Sequence, residues 1–188
     1  MKNIALLIIV SVVFLFSGCR VKKPAADTHP VIEESQEVKA YNKWADQTTW
    51  VLGYFNRNRL TSLPHSEWFL KGYDDYMFKT DVVNKLTALS KDGLTIKIVM
   101  GTWCPDSRRE VPRFMKVIDT WSFPEDKITF VGVDNGKLSP IGEYDKLNIE
   151  RVPTFIFYKN NIEAGRIIEN PTTSLEQDIV NILTRNEK

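Results

Sequence analysis

Trp103-Cys104-Pro105-Asp106-Ser107 stands between an apolar run, Leu94-Thr95-Ile96-Lys97-Ile98-Val99-Met100, and a stretch with apolar residues at Val111, Phe114, Met115 and Ile118. The run before it reads as a buried strand, because its apolar end leaves little room for a solvated face. The spacing after it, threes and fours, reads as a helix with one buried stripe. The cysteine therefore falls where a strand ends and a helix begins. The first N–H groups of a helix have no intrahelical partner, and with the helix dipole they favour an anion. A thiolate is the nucleophilic form of cysteine, so this is a place where a cysteine can react. Ser107 follows one turn later on the same face, where its hydroxyl is positioned to donate to the sulfur. Arg108 and Arg109 add positive charge. Asp106 is read first as an acid of the opening helical turn, with modulation of Cys104 as the alternative.

Outward from this stretch the pattern is regular. Thr80 is expected to cap a helix carrying Val82, Leu86 and Leu89 and ending near Gly93. Ile128–Val133 and Thr154–Tyr158 read as two further buried strands. Lys159-Asn160-Asn161 reads as a turn into a fourth strand around Arg166-Ile167-Ile168. Ser174 and Gln177 form a capping box, followed by a closing helix with Leu175, Ile179, Ile182 and Leu183. Helix, strand, helix, strand, then hairpin and helix, describes an α/β sandwich around a mixed sheet, expected over residues 80–188.

Upstream the character changes. Residues 39–79 are expected to form a helical, aromatic-rich extension. Tyr41, Trp44, Thr48, Val51 and Phe55 recur at helical spacing, and Trp68, Phe69, Tyr73, Tyr76 and Phe78 crowd the stretch that follows. These aromatics read as cover for an edge of the core, with a substrate-facing surface as the alternative. Residues 19–38 hold Pro24, Pro30 and the acids Glu33, Glu34 and Glu37 without apolar periodicity, and read as a flexible tether. Residues 1–18 read as a signal peptide: Lys2, an apolar run from Ile4 to Phe16 broken by Ser11, then Ser17-Gly18 before Cys19. A cysteine there resembles the bacterial lipobox, whose cysteine is acylated and becomes the new N-terminus. Phe16 stands where leucine is commoner. The run is short for a spanning helix, which needs about 20 residues. An uncleaved anchor with an incidental cysteine is the other reading. Either way the domain is expected in the cell envelope, on the extracytoplasmic side, held to a membrane through lipid on Cys19 or through the segment itself.

Bulk properties exclude several classes. The chain has 188 residues with 43% hydrophobic and 26% charged residues, enough for one domain with a real core. Its net charge of +1 leaves no footprint for nucleic acid, so no such partner is expected. Two cysteines are too few for a disulfide framework. His29 and His65 lack partners at ligand spacing. Each reads as a surface or loop residue, and neither a metal nor another cofactor is expected.

Together these residues resemble the thioredoxin superfamily. Trp103 precedes the nucleophile position, Cys104. Pro112 falls eight residues after it, at the place of the family's helix-kinking proline. Val152-Pro153-Thr154 is similar to the family's cis-proline element, and Lys159-Asn160-Asn161 to its hairpin turn. The resemblance implies a thioredoxin-like sandwich, a mixed central sheet flanked by helices. It implies Cys104 and Ser107 at the catalytic positions, and Trp103, Val152 and Pro153 as the substrate-binding residues. Trp103 would cover the thiol, and the backbone of Val152 would meet a substrate strand. Two departures bear on activity. The family's second cysteine is Ser107 here, and its buried acid six residues before the nucleophile is Ile98. Serine forms no disulfide, so the complete dithiol cycle is unavailable within the chain.

Two functions follow from different classes. One is single-cysteine thiol–disulfide chemistry with protein or small-molecule thiols and disulfides, in which an external reductant or thiol resolves the mixed disulfide. The other is a catalytically silent module that binds an envelope peptide or protein in the Val152-Pro153 groove. A one-cysteine peroxidase is a weaker third, because Gly101 stands where such proteins usually carry a threonine.

Overall fold

The computed structural model describes residues 49–185. The proposed signal peptide and tether, with Cys19 and His29, lie outside the described residues, as do Tyr41, Trp44 and Thr48 of the expected helical stripe. Among the described residues the elements run β1 (Gly53–Phe55), α1 (Asn58–Thr61), α2 (Ser66–Asp75), α3 (Thr80–Thr87), β2 (Leu94–Met100), α4 (Pro105–Thr120), β3 (Ile128–Gly132), β4 (Thr154–Lys159), β5 (Ile162–Ile168) and α5 (Leu175–Thr184). The strands form one mixed sheet in the order β1-β3-β2-β4-β5. β2 is parallel to β3, with Ile98 beside Phe130. It is antiparallel to β4, with Ile98 beside Phe155.

Alternation along these strands sorts the side chains onto two faces. Leu94, Ile96, Ile98 and Met100 enter the larger core with Phe69, Leu86, Phe114, Phe155 and Ile179, contributed by the sheet and by α2 to α5. The rings of Phe114 and Phe155 stack 4.1 Å apart. Val99, Val131, Val133, Val152 and Ile156 form a second cluster, which includes Cys104 and Leu147. The sandwich expected from the sequence is therefore present, with its strands within a few residues of the expected places. Asn160 and Asn161 both take positive φ, 52° and 65°, as a tight right-twisting hairpin turn requires. Ser174 Oγ accepts the Gln177 amide and caps α5 as expected.

Three local expectations change. Val51 and Phe55 do not continue a helix; Gly53–Phe55 is a strand, antiparallel to β3. The physical reason is period two: Val51 is buried, Leu52 and Tyr54 point outward, and Phe55 turns in against Phe130, 5.3 Å between rings. The rest of the extension is helical in α1 and α2. Thr80 is the first residue of α3 rather than its cap, and the cap position belongs to Lys79. Its amide is taken by Glu176 Oε1 at 2.9 Å, a carboxylate that also accepts the Tyr76 hydroxyl, so α5 holds the entry to α3. Finally, His65 is no surface residue. It is 2% exposed, with its ring edge-on to Trp68 at 5.9 Å. It lies at the start of α2 beneath the aromatic segment, which folds over it. Burial, and then the charge of Arg108, hold it below the ordinary histidine range.

The aromatic stretch covers the core, as the first reading has it. Phe69 is buried in it, and Trp68, Tyr73, Tyr76 and Phe78 pack against it. Tyr73 and Arg57 both hydrogen-bond to Asp119 of α4, which fastens α1 and α2 to that helix. α2 reaches α4 closely at Gly72, where a Cβ would lie 2.7 Å from Pro112 Cγ.

Two predictions follow from this packing. At Gly132 a Cβ would stand 2.0 Å from the Val51 carbonyl oxygen, a backbone atom that cannot step aside without unzipping β1. Gly132→Ala should lower the melting temperature sharply, whereas Gly142→Ala, whose Cβ meets open space, should leave it nearly unchanged. Equal melting temperatures for the two variants would contradict the β1–β3 approach. The second concerns pH. Below about pH 6.5 the unfolded chain protonates His65, while the folded chain resists doing so. The stability linked to this group is thus full above that pH and is lost as pH falls below it. Thermal unfolding between pH 7.5 and 5.5 should show a shallower loss of stability in His65→Gln than in the parent; parallel profiles would refute it.

Candidate functional site

The turn from β2 to α4 builds the site. Gly101 follows the strand, and the indole of Trp103 lies against it so closely that a Cβ there would sit 2.5 Å from the ring. Trp103 Nε1 donates to the Val133 carbonyl at 2.9 Å, and the ring packs at a tilt on Trp50, 6.2 Å between centroids. The indole is thereby clamped against the cluster that includes Cys104. Thr102 accepts the Val51 amide on Oγ1 at 3.1 Å, which ties the segment before β1 to the same turn. Sequence reasoning passed over Thr102 and Trp50, and placed Val51 on a helix rather than beside this turn. The alternation at Val51–Phe55 is the signal that could have found the strand bringing them here.

Cys104 is the N-cap residue of α4, with extended backbone, and Pro105 opens the helix. Proline suits that first position, since its missing N–H would have had no helical partner. The Cys104 amide donates to Gly101 O, and the Arg108 amide to Cys104 O, each at 3.0 Å. The side chain is 6% exposed, and its Sγ donates to the Val152 carbonyl at 3.3 Å. Val152-Pro153 is a cis peptide. The Pro153 carbonyl accepts the Glu169 amide, and Thr154 Oγ1 donates to Arg151 O. Cys104, Trp103, Val152 and Pro153 are thus gathered in one place from two distant stretches of chain.

Ser107 lies in the first turn of α4. It is fully buried, and its Oγ accepts the Gly101 amide at 3.3 Å. That bond faces back toward β2 and makes Ser107 a brace of the turn that carries Cys104. Ile98 is fully buried in the core on β2, so an aliphatic side chain occupies the place of the family's buried acid. Pro112 lies inside α4 as the resemblance implies.

Of the two arginines, Arg109 is engaged with acids: Nη2 with Asp106 at 2.6 Å and Nε with Glu110 at 2.7 Å. Asp106 accordingly behaves as a first-turn helix acid. Arg108 turns inward. Its Nε donates to the Thr102 carbonyl, and its guanidinium lies over the Trp68 ring, 5.8 Å from the centroid. Burial lowers its pKa, and its electrostatic interaction with Cys104 opposes that shift. No group of three His, Cys, Asp or Glu side chains among the described residues is arranged to hold a metal ion.

The thioredoxin family profile matches residues 76–181, more than half of the chain. No curated protein sequence matches it. Among solved structures, the chain is similar to a protein of unknown function from Pseudomonas aeruginosa, at 14% identity and a TM-score of 0.44, over 65% of this chain and 81% of that one. On the strength of the family profile, over a span that takes in the Cys104 turn, the Val152-Pro153 element and strands β2 to β5, this chain belongs to the thioredoxin family.

Proposed function

We propose that this chain is a membrane-tethered protein of the cell envelope whose Cys104 carries out one-cysteine thiol–disulfide chemistry. The observation that supports this reading best is the 3.3 Å contact between Cys104 Sγ and the Val152 carbonyl. It puts the sulfur beside the backbone that, in this family, meets an extended substrate. In the proposed step the Cys104 thiolate attacks one sulfur of a substrate disulfide. A Cys104–substrate bond forms, the substrate S–S bond breaks, and its electron pair leaves on the other sulfur as a thiolate. Ser107 has no sulfur with which to displace the adduct. A thiolate from outside must attack the substrate sulfur, form its own disulfide there and return Cys104 as thiolate. The alternative, a silent binding module, draws on the same geometry, because the sulfur is buried and already hydrogen-bonded.

Trapping decides between them. The purified protein should form a mixed disulfide with 2-hydroxyethyl disulfide near neutral pH, absent in Cys104→Ala. The adduct should persist until a thiol is added. Ser107→Cys should shorten its lifetime by roughly tenfold or more, since an internal thiol competes at high effective concentration. Ile98 should still hold that variant short of an efficient dithiol reductase. No adduct at Cys104 would favour the binding module.

The tether is tested separately. The reading of residues 1–19 gives cleavage before Cys19 and acylation of the new N-terminus, and more than one acyl chain holds stably where a single chain is marginal. Mass spectrometry of the membrane fraction should find a lipidated peptide starting at Cys19, and Cys19→Ala should lose it. A mature protein still beginning at Met1 would overturn the anchor.

A further inference from the structure

The stretch of chain that leads into Val152 is held from outside by one side chain. Residues Tyr144–Leu147 form a short 3-10 turn, and Asn148 leaves it with a positive φ of 49°. The last carbonyls of a helical turn have no partner within it. Arg166 of β5 supplies one: its Nη1 donates to Leu147 O at 3.0 Å and to Asn148 O at 3.4 Å. The same guanidinium donates through Nε and Nη2 to the two carboxylate oxygens of Glu163, each at 2.6 Å. A planar fork held on both oxygens has little freedom left, so its remaining arm is already aimed at the two carbonyls. Leu147 is buried in the cluster that also holds Cys104 and Val152. Beyond Val152, the Pro153 carbonyl accepts the amide of Glu169, which follows β5, and the Glu169 carboxylate pairs with Arg151 at 2.8 Å. The chain is thus gripped on both sides of the carbonyl that meets the sulfur. Of the two arginines, Arg166 is the more enclosed, 22% exposed against 65% for Arg151, and an exposed pair contributes little.

We propose that Arg166 is a positioning residue for Cys104: it fixes the backbone before Val152, so that the site favours a disulfide carried on an extended peptide over a small free one. This deepens the one-cysteine reading and rests on it. A peptide gains from the Val152 backbone in full only where that backbone is already in place, because ordering it during binding costs conformational freedom. A small disulfide needs the sulfur alone. The exchange itself is unchanged: a bond forms between Cys104 Sγ and the peptide sulfur, the S–S bond breaks, and its electron pair leaves on the other sulfur. Arg166 touches neither sulfur and acts through Leu147 and Asn148.

The test uses the full chain purified in detergent and two reagents. One is a blocked alanine–valine peptide with a central cysteine, joined to 2-mercaptoethanol by a mixed disulfide; the other is 2-hydroxyethyl disulfide. Attack that forms the adduct releases 2-mercaptoethanol from both. Each rate of Cys104 adduct formation, read by intact mass, is divided by that of free N-acetylcysteine with the same reagent. The normalised peptide-to-small ratio should exceed one in the parent, and Arg166→Met should lower it by about fivefold, the size of one hydrogen bond's contribution. The small-reagent rate should not fall. Arg166→Lys should restore part of the ratio, since an ammonium reaches an acceptor without the planar fork. Glu163→Gln should lower it less than Arg166→Met does. Lys85→Gln, an equal loss of charge at an exposed site on α3, should leave it alone. A parent ratio near one, a ratio unmoved by Arg166→Met, or an equal shift in Lys85→Gln would overturn the inference while leaving single-cysteine chemistry intact. If Arg166→Met fails to fold, Arg166→Lys and Glu163→Gln decide, and parent-like ratios in both overturn it. Failure of both reagents to form a Cys104 adduct in the parent would remove the underlying reading and this inference with it.

Discussion

The antiparallel ladder between β2 and β4 governs the rest of the structure. β2 is paired on both sides, and its register with β4 sets Val99 opposite Thr154. Past that pair the two strands end: β2 after Met100, at the Gly101–Cys104 turn, and β4 before Thr154, at the Val152-Pro153 peptide. The ladder therefore brings Cys104 and Val152 face to face, 48 residues apart in sequence and 3.3 Å apart at Sγ and O. A slip of one residue would reverse the faces of β4 and carry Phe155 and Phe157 out of the core. Burial of those two rings, with Phe114 against both, is what makes such a slip costly.

The turn is braced in ways that replace missing family chemistry with structure. Ser107 gives its hydroxyl oxygen to the Gly101 amide. Trp103 is pinned to Val133, and Thr102 to Val51. A buried N–H or C=O without a partner would be costly in so enclosed a place, and these bonds remove that cost. The same turn holds Cys104, a free cysteine among the described residues. Redox and binding roles both remain consistent with family membership, and the difference between them lies in whether that sulfur can leave the Val152 carbonyl for a substrate.

The aromatic segment ahead of α3 is part of the same architecture. Tyr73, Arg57 and Asp119 secure α2 to α4, Gly72 lets the two helices approach at Pro112, and Trp68 offers its face to Arg108. Aromatics that read in sequence as edge cover therefore also hold Arg108.

What the sequence by itself determined is the part carried by local period and by spacing: the β2, β3 and β4 runs, the α4 stripe, the Asn160-Asn161 turn, the Ser174 cap, and the order of Trp103, Cys104, Pro112 and Pro153 that marks the family. Those signals are legible because each depends on neighbours within a few residues. Tertiary structure alone decided the remainder. Val51–Phe55 carries a short alternation as well as helical spacing, and the pairing of its backbone with β3 decided between them. That Ser107 Oγ meets the Gly101 amide follows from how the turn closes. His65 is buried because Trp68 folds over it, and Arg108 turns inward because that same ring is there to receive it. These outcomes rest on packing and desolvation, partly between residues dozens of positions apart and partly between near neighbours that the fold presses together, and spacing along the chain does not encode them.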